Sequence, residues 1–540
     1  MCGIAAILPL AATPDLPPPV DPAVALMRML GALRHRGDSW NFAEHLLLPV
    51  RRAQGRRVQG RRAQGREAQG AGGAMGTNRL AIVDRAHGRQ PVVDPASGRL
   101  IVMNGEIYNH EELRAELEAG GHHFRTASDT ETVLAAFGAW GPACVDRLDG
   151  IFAFVIHDPA TGSSFAARDH LGIKPLYMAT AGGWVAFASE RKAFIGLIAG
   201  VTELAPGHVW ADGRISRYAG FQAAHDPAVI GPDPVGRCRA LLDAAVRRQV
   251  QTDLPLAVIF SGGLDSTILL HLATRHHPDV TAFSVGTEDS EDLAFARAFC
   301  AERGIRHIVT GFAPEMIPRR IRGAIFDGEF FEPVDISDMI SMSAVHATVR
   351  ANGFKVAIAG DGADELFAGY DMFRTAADPY ALTTYRVGNL HRTDLQRTDR
   401  ASMTHSVECR VPFLDRALVD FAMALPFDLK LRGGVEKWIL REAFRGEIAD
   451  VMIDRPKIRM PEGIGIRDRI FRHLAHDRPG RELTLPPVTI DTPQVRNALL
   501  HYLDFGFDAP ASRYKSVGTD YAPGGYFRFD ATSEATATAI

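Results

Sequence analysis

The chain has 540 residues, which at roughly 150 residues per domain carries more than one core. Charged residues make up 23% and the apolar set 46%, and 60 Lys and Arg against 64 Asp and Glu leave a net charge of -4. That balance excludes disordered and collagen-like classes and gives no whole-chain electrostatic case for nucleic acid or an anionic membrane.

Five cysteines in so long a chain make no disulfide framework. No apolar run approaches the roughly 20 residues of a membrane span. The opening MCGIAAILPLAATPDLPPP lacks the basic region of a secretory leader, so a cytoplasmic enzyme is the expectation.

Short apolar runs between polar turns come first: GIAAIL (3–8), RLAIVD (79–84), RLIVMNGEIYN (99–109), GIFAFVIHD (150–158) and GWVAFASE (183–190). They predict an antiparallel, sandwich-like unit. Helical periodicity runs through EELRAELEAGG (111–121), which Gly120 can stop, and DTETVLAAFGAW (129–140). Residues 51–70 read RRAQG RRVQG RRAQG REAQG, with seven Arg and one Glu. A period of five suits neither helix nor strand, and the repeated Gly weakens any helix. Without aromatic residues for base stacking, a solvated loop is the expectation over a polyanion-binding arm.

Beyond about residue 210 the texture changes. AAHDPAVIGPDP (223–234) reads as a linker. After it come the helix CRALLDAAVRRQV (238–250), the strand PLAVIF (255–260) and the helix-opening SGGLDSTILLHLATRHH (261–277). The strand VTAFSV (280–285), the helix EDLAFARAFCAERG (291–304) and the strand KVAIAG (355–360) follow. Apolar strands alternating with amphipathic helices predict a parallel sheet covered on both faces. The domains read as 2–215 and 235–540.

Several residues suggest chemistry. If the initiator Met is removed, Cys2 offers a thiol and a free α-amine whose unperturbed pKa is about 7.7–8.0. Such an amine can take the thiol proton, placing nucleophile and base in one residue. NGEIYNH (104–110) adds the Asn104 amide and, at Gly105, close backbone approach, the parts of an oxyanion hole. Arg79, at a strand start, can clasp a carboxylate. Asp129 stands at a helix N-terminus, where a plain N-cap would also explain it.

Further on, Gly262 and Gly263 let backbone N–H groups close around an anion at a helix N-terminus. Ser261 and Ser266 offer hydroxyls there, and Asp265 is a candidate Mg2+ ligand. No Lys-Ser/Thr ending follows, so SGGLDS is not a Walker A loop. AGDGADELFAGY (359–370) sets Asp361, Asp364 and Glu365 at the C-terminal edge of a sheet, where α/β ligands bind.

MCGIAAIL, LRHRG, RLAIVD, NGEIYNH, SDTET, LDGIFAF, ARDHLGIKPLY and FASERKA, in this order, resemble the N-terminal-nucleophile glutamine amidotransferase domain of glutamine-dependent asparagine synthetases. The resemblance implies that Cys2 attacks the glutamine side-chain amide and forms a thioester. Arg79 and Asp129 would hold the α-carboxylate and α-amine. Asn104 and Gly105 would stabilise the oxyanion, with Ile82, Val83 and Glu106 completing the glutamine site.

SGGLDS resembles the pyrophosphate loop of ATP pyrophosphatases. That implies nucleotide contacts at Phe260, Ser261, Gly262, Gly263, Asp265, Ser266, Val285, Ala359 and Gly360, a metal held by Asp265 and Asp364, and a catalytic role for Asp361. DRASMTHSVECRVPFLD (399–415) matches the synthetase-domain signature, with Arg410 and Asp415 in place. In RPKIRMPEGIG (455–465), Lys457 matches the family Lys that contacts the phosphate of the adenylate.

The fold so implied is α/β and α+β: an αββα N-terminal-nucleophile-hydrolase sandwich, then a parallel-sheet ATP-pyrophosphatase domain of the adenine nucleotide alpha hydrolase-like type. The reaction implied is ATP- and glutamine-dependent amidation of L-aspartate to L-asparagine through an acyl-adenylate, with Mg2+. An internal ammonia channel and a homodimer are family expectations; a membrane or nucleic-acid partner is not expected.

Two departures bear on substrate. Asp38 and Ser39 follow Gly37 where the family has Pro-Asp, and Asp361 replaces the Glu often carried by aspartate-specific enzymes, with one methylene less reach. They leave open a same-family amidotransferase acting on another carboxylate, such as a peptide or natural-product intermediate. A polyanion binder with vestigial enzyme halves is the third reading, against which Cys2, SGGLDS and Lys457 argue. The resemblance spans roughly residues 2–466.

Overall fold

Strand β1 (Cys2–Pro9) is buried along almost its whole length, and a strand can be so only if both faces of its sheet are covered. The computed structural model describes residues 2–10, 20–37, 44–48, 72–286, 291–311, 314–455, 466–480, 483–484, 492–509, 514–515 and 528–529. It divides into two compact units, residues 1–169 with 174–219, and residues 170–173 with 220–540.

The first unit continues with β2 (Glu44–Leu48), β3 (Gly73–Arg79), β4 (Val92–Val93), β5 (Leu100–Ile107), β6 (Gly150–Asp158) and β7 (Ser163–Arg168). Then come β8 (Tyr177–Ala181), β9 (Trp184–Ala188), β10 (Thr202–Glu203), β11 (His208–Ala211) and β12 (Arg214–Arg217). Among the described residues they form two sheets, β10-β8-β9-β1-β3-β2 and β12-β11-β7-β6-β5-β4, with antiparallel pairing in both.

The period-two alternation of a strand sorts its side chains into separate cores. Ile4, Ala6 and Leu8 join Leu100, Val102, Ala153, Val155 and Trp210 in a core shared by the two sheets. The intervening Ala5 and Ile7 pack instead with Leu26, Met29 and Leu30 of α1 (Pro22–Ala32). On the other sheet Ile101, Met103, Phe152 and Phe154 pack with α2 (His110–Ala119) and α3 (Asp129–Trp140). The layers are therefore helix, sheet, sheet, helix, the αββα arrangement.

One strand lies earlier than its apolar run suggests. RLAIVD is not a strand: β3 is GAMGTNR and ends at Arg79. The Arg79 guanidinium instead draws the following loop onto itself, donating to the carbonyls of Val83 and Asp84 at 3.0 and 2.9 Å.

The second unit holds β13 (Leu256–Ile259), β14 (Val280–Gly286), β15 (Arg306–Gly311), β16 (Val356–Ile358) and β17 (Glu408–Arg410). They form a parallel sheet in the order β15-β14-β13-β16-β17. Its helices include α4 (Pro227–Ile230), α5 (Pro234–Gln249), α6 (Leu264–His276), α7 (Glu291–Arg303), α8 (Ile317–Gly328) and α9 (Pro333–Ala351). After β16 come α10 (Ala363–Leu366), α11 (Pro379–Gly388) and α12 (Asp394–Met403). The stretch 223–234 is no free linker. Ala223 and Ile230 are buried, and the N–H groups of Ala224 and Asp226 donate to the carbonyls of Met423 and Ala424.

Strand order reverses between β13 and β16, and ligands of open α/β sheets bind outside the carboxyl ends of the strands at such a switch point. The segments leaving those two strands are SGGLDS and GDGADE. No helix among the described residues is long and apolar enough to cross a membrane.

Candidate active sites

In the first unit, antiparallel register sets Cys2 opposite Arg79. The Cys2 N–H donates to Asn104 Oδ1 at 3.0 Å, joining β1 of one sheet to β5 of the other. Asn104 is fully buried, and its Nδ2 has no hydrogen-bond partner among the described residues. Gly105 is required by packing: a Cβ there would stand 2.2 Å from the carbonyl oxygen of Ile151. Gly88 is open for a similar reason, since a Cβ would meet Arg79 Nη2 at 2.7 Å.

Ser128 caps α3, accepting from the Thr130 N–H, so Asp129 is freed from that duty and takes the first helical position. Its carboxylate accepts from the N–H groups of Ile107 at 3.2 Å and Thr130 at 2.8 Å. Burial raises its pKa, against the opposing charge of His110 and those bonds. A buried carboxylate so placed favours a cationic ligand. Cys2, Arg79, Ile82, Val83, Gly105, Glu106 and Asp129 line one small cavity, together with Thr130 of SDTET and Gln90, the latter outside every sequence motif.

The RHRG and FASERKA segments act one step back. Arg36 donates from Nε to the Cys2 carbonyl at 3.3 Å and from Nη1 to Glu190 at 2.5 Å. Glu190 also meets His35 and Lys192, each at 3.0 Å. The Asp38-Ser39 departure, the repeat at 51–70 and Lys457 lie outside the described residues.

In the second unit, SGGLDS is ordered by its own hydroxyls. Ser266 Oγ accepts from the Ser261 N–H at 3.2 Å, and the two hydroxyls lie 3.1 Å apart. Gly262 has φ +75°, where a Cβ would also stand 2.7 Å from the Asp292 carbonyl. Its own carbonyl accepts from Arg455 Nη1 at 2.7 Å. Phe260, Val285 and Ala359 are buried around the loop's base. A Cβ on Gly360 would lie 3.2 Å from the Asp265 Cβ, so the segments after β13 and β16 approach closely.

Asp265 and Asp364 both face Lys437, at 2.5 and 2.6 Å. Lys437 is 2% exposed. Desolvation opposes its charge, but the two carboxylates outweigh it and raise its pKa. Its φ of +54° is uncommon for a residue with a side chain. Motif reading missed Lys437, which lies in a sequence-distant turn with no phosphate-loop signature. Among the described residues no group of three or more His, Cys, Asp or Glu side chains could hold a metal ion. Two converging carboxylates nevertheless match the donor set Mg2+ takes when substrate phosphates and water complete its shell.

Asp361 accepts from Thr398 Oγ1 at 2.9 Å. Burial, then repulsion from Asp394, pushes its carboxyl up to about 7 against the pull of Arg397. Glu365 accepts from Tyr370 and from Arg386 at 2.8 and 2.9 Å. Arg410 and Asp415 tie elements of the second unit together. Arg410 joins Glu408 to the Gln249 carbonyl, and Asp415 caps the helix Arg416–Ala424 while pairing with Arg248.

The fold defines a class: an antiparallel αββα unit with a cysteine at a small polar cavity, accompanied by an α/β unit with a glycine-rich loop at the switch point of its parallel sheet. A family model described as glutamine amidotransferase domain matches residues 54–210, and one described as asparagine synthase matches residues 237–382 and 374–504. The asparagine synthetase [glutamine-hydrolyzing] of Sandersonia aurantiaca is 30% identical over 86% of this chain and 87% of that protein. Asparagine synthetase B [glutamine-hydrolyzing] of Escherichia coli K12 is 32% identical over 72% of this chain and 74% of its own. The chain belongs to the glutamine-hydrolysing asparagine synthetase family.

A solved glutamine phosphoribosylpyrophosphate amidotransferase from B. subtilis shows 18% identity and a TM-score of 0.30, covering 57% of this chain and 66% of that one. That likeness is too slight to carry an argument.

Proposed function

We propose that this chain amidates L-aspartate to L-asparagine, drawing nitrogen from glutamine and splitting ATP to AMP and pyrophosphate. In the first unit the Cys2 thiol proton passes to its own α-amine once Met1 is gone. The sulfur then attacks the side-chain amide carbon of glutamine, and the carbonyl electron pair moves onto oxygen. Asn104 Nδ2, a buried donor without a partner among the described residues, is the observation that carries this reading: it meets the oxyanion, with Gly105 beside it. The amine returns the proton to the leaving nitrogen, ammonia departs, and water hydrolyses the thioester to glutamate. Arg79 and Asp129 hold the α-carboxylate and α-ammonium, while Ile82, Val83 and Glu106 wall the site.

In the second unit the acceptor carboxylate attacks the α-phosphorus of ATP, and pyrophosphate leaves into the loop of Ser261, Gly262, Gly263 and Ser266. Phe260, Val285, Ala359 and Gly360 shape the nucleotide site. Asp265 and Asp364 would hold Mg2+ against the phosphates, where it supplies charge neutralisation. Ammonia attacks the acyl-adenylate, AMP leaves, and Asp361 takes the proton the nitrogen sheds, a role its near-neutral carboxyl suits. Lys457 neutralises phosphate charge. We place the enzyme in the cytoplasm, a reducing compartment that suits free cysteines, all buried.

The test is pyrophosphate release with ATP, Mg2+ and glutamine, with and without L-aspartate, and mass spectrometry of the products. Aspartate-dependent pyrophosphate with asparagine formed is expected. Glutamate without aspartate-dependent pyrophosphate would overturn aspartate as the acceptor and leave a glutaminase serving another acid.

A further inference from the structure

Gln90 lies in the segment between β3 and β4 and is 6% exposed. Its carboxamide is held at both ends. Oε1 accepts from the Met103 N–H at 2.6 Å, which orients the amide, and Nε2 donates to Thr130 Oγ1 at 3.2 Å. The amide nitrogen carries two hydrogens, and Nε2 also reaches Cys2 Sγ, 3.7 Å away. Gln90 lines the same cavity as Cys2, Arg79, Gly105 and Asp129.

A donor aimed at sulfur matters most when the sulfur is charged, because hydrogen bonds to ionised acceptors are roughly twice as strong as neutral ones. We propose that Gln90 is a further catalytic residue of the glutamine reaction, its Nε2 donating to Cys2 Sγ and stabilising the thiolate that attacks. The assignment rests on Cys2 being the glutaminase nucleophile. It explains why the amide is anchored through Met103: the next residue on β5 is Asn104, so the sulfur's donor and the oxyanion's donor are referenced to one strand.

The test is the pH profile of Cys2 alkylation by iodoacetamide in the full-length enzyme, followed by mass spectrometry, for wild type, Gln90→Glu and Gln90→Met. Gln90→Glu keeps the acceptor for Met103 and loses the donor. Gln90→Met loses the donor without adding charge and carries the test should Gln90→Glu fail to fold.

In both variants the profile midpoint moves up by about one unit. Glutaminase kcat falls about tenfold, while KM for glutamine stays within about twofold. Ammonium-dependent synthesis is unchanged and reports the fold. Profiles that superpose on wild type, or a rise confined to Gln90→Glu, overturn the proposal. Glutamine turnover surviving in Cys2→Ala would instead overturn the underlying assignment of the nucleophile.

Discussion

Cys2 and Asn104 stand on different sheets, and the Cys2 N–H donates to Asn104 Oδ1 at 3.0 Å. With Oδ1 so committed, the amide turns its Nδ2 elsewhere, and that nitrogen is buried without a partner among the described residues. An empty buried donor costs about 1–3 kcal/mol. In the proposed mechanism an oxyanion would fill it only as the reaction proceeds, which would make the interaction stronger in the transition state than in the ground state.

Removing that donor separates the two half-reactions. Asn104→Ala lowers glutaminase kcat by about 10²–10³-fold, and Cys2→Ala abolishes glutamine use altogether. Both keep asparagine synthesis from ammonium salts, read by comparing glutamate formation with asparagine formation. Loss of ammonium-dependent synthesis as well would contradict two separate chemical centres.

Lys437 is the counter-ion of a pair of carboxylates. Lys437→Met leaves Asp265 and Asp364 facing each other without it, and breaking such a buried pair costs about 3–5 kcal/mol. A lowered Tm is therefore expected, and added Mg2+ raises the Tm of the variant more than that of wild type. Equal Mg2+ responses would separate these carboxylates from metal binding. Asp265→Ala removes pyrophosphate release while leaving glutaminase activity intact; unchanged pyrophosphate release would break the nucleotide-site assignment.

Asp361 links stability to pH with a defined sign. Its carboxyl titrates at about 7 in the fold against 3.8 ordinarily, so between those values the folded chain binds the proton and the unfolded chain does not. Stability from this group is therefore greatest at the acid end of that window and declines as pH rises toward 7. The Tm of wild type relative to Asp361→Asn should fall across that window and level off above it. A difference that rises with pH would show that the carboxyl is not held protonated.

That Cys2, Arg79, Gly105 and Asp129 gather at one cavity was largely legible because they sit in short motifs. Cys2, Asn104, Gly105 and Asp129 are placed by strands and a helix whose burial patterns are local. Arg79 was legible as a residue but not in its setting. RLAIVD has the apolar content of a strand, yet the guanidinium spends its donors on the Val83 and Asp84 carbonyls, and the backbone turns into a loop. Strand β15 is half-exposed along RHIVTG, which blurs the signal of a buried parallel strand. Gln90 looks like any polar residue beside a proline until the fold carries it against Met103, Thr130 and Cys2.

What the sequence by itself determined is the division into an antiparallel, helix-covered unit and a parallel one, with the motifs that carry the proposed nucleophile and phosphate loop. Periodicity and glycine placement are set within a few residues, so they survive without the fold. Only the tertiary structure decided which polar atoms are left to react. Cys2 meets Asn104 across 102 residues and Lys437 meets Asp265 across 172. Whether an amide's donor is spent or spare, or a carboxylate is neutralised, depends on partners that chain closure alone brings within a few ångströms.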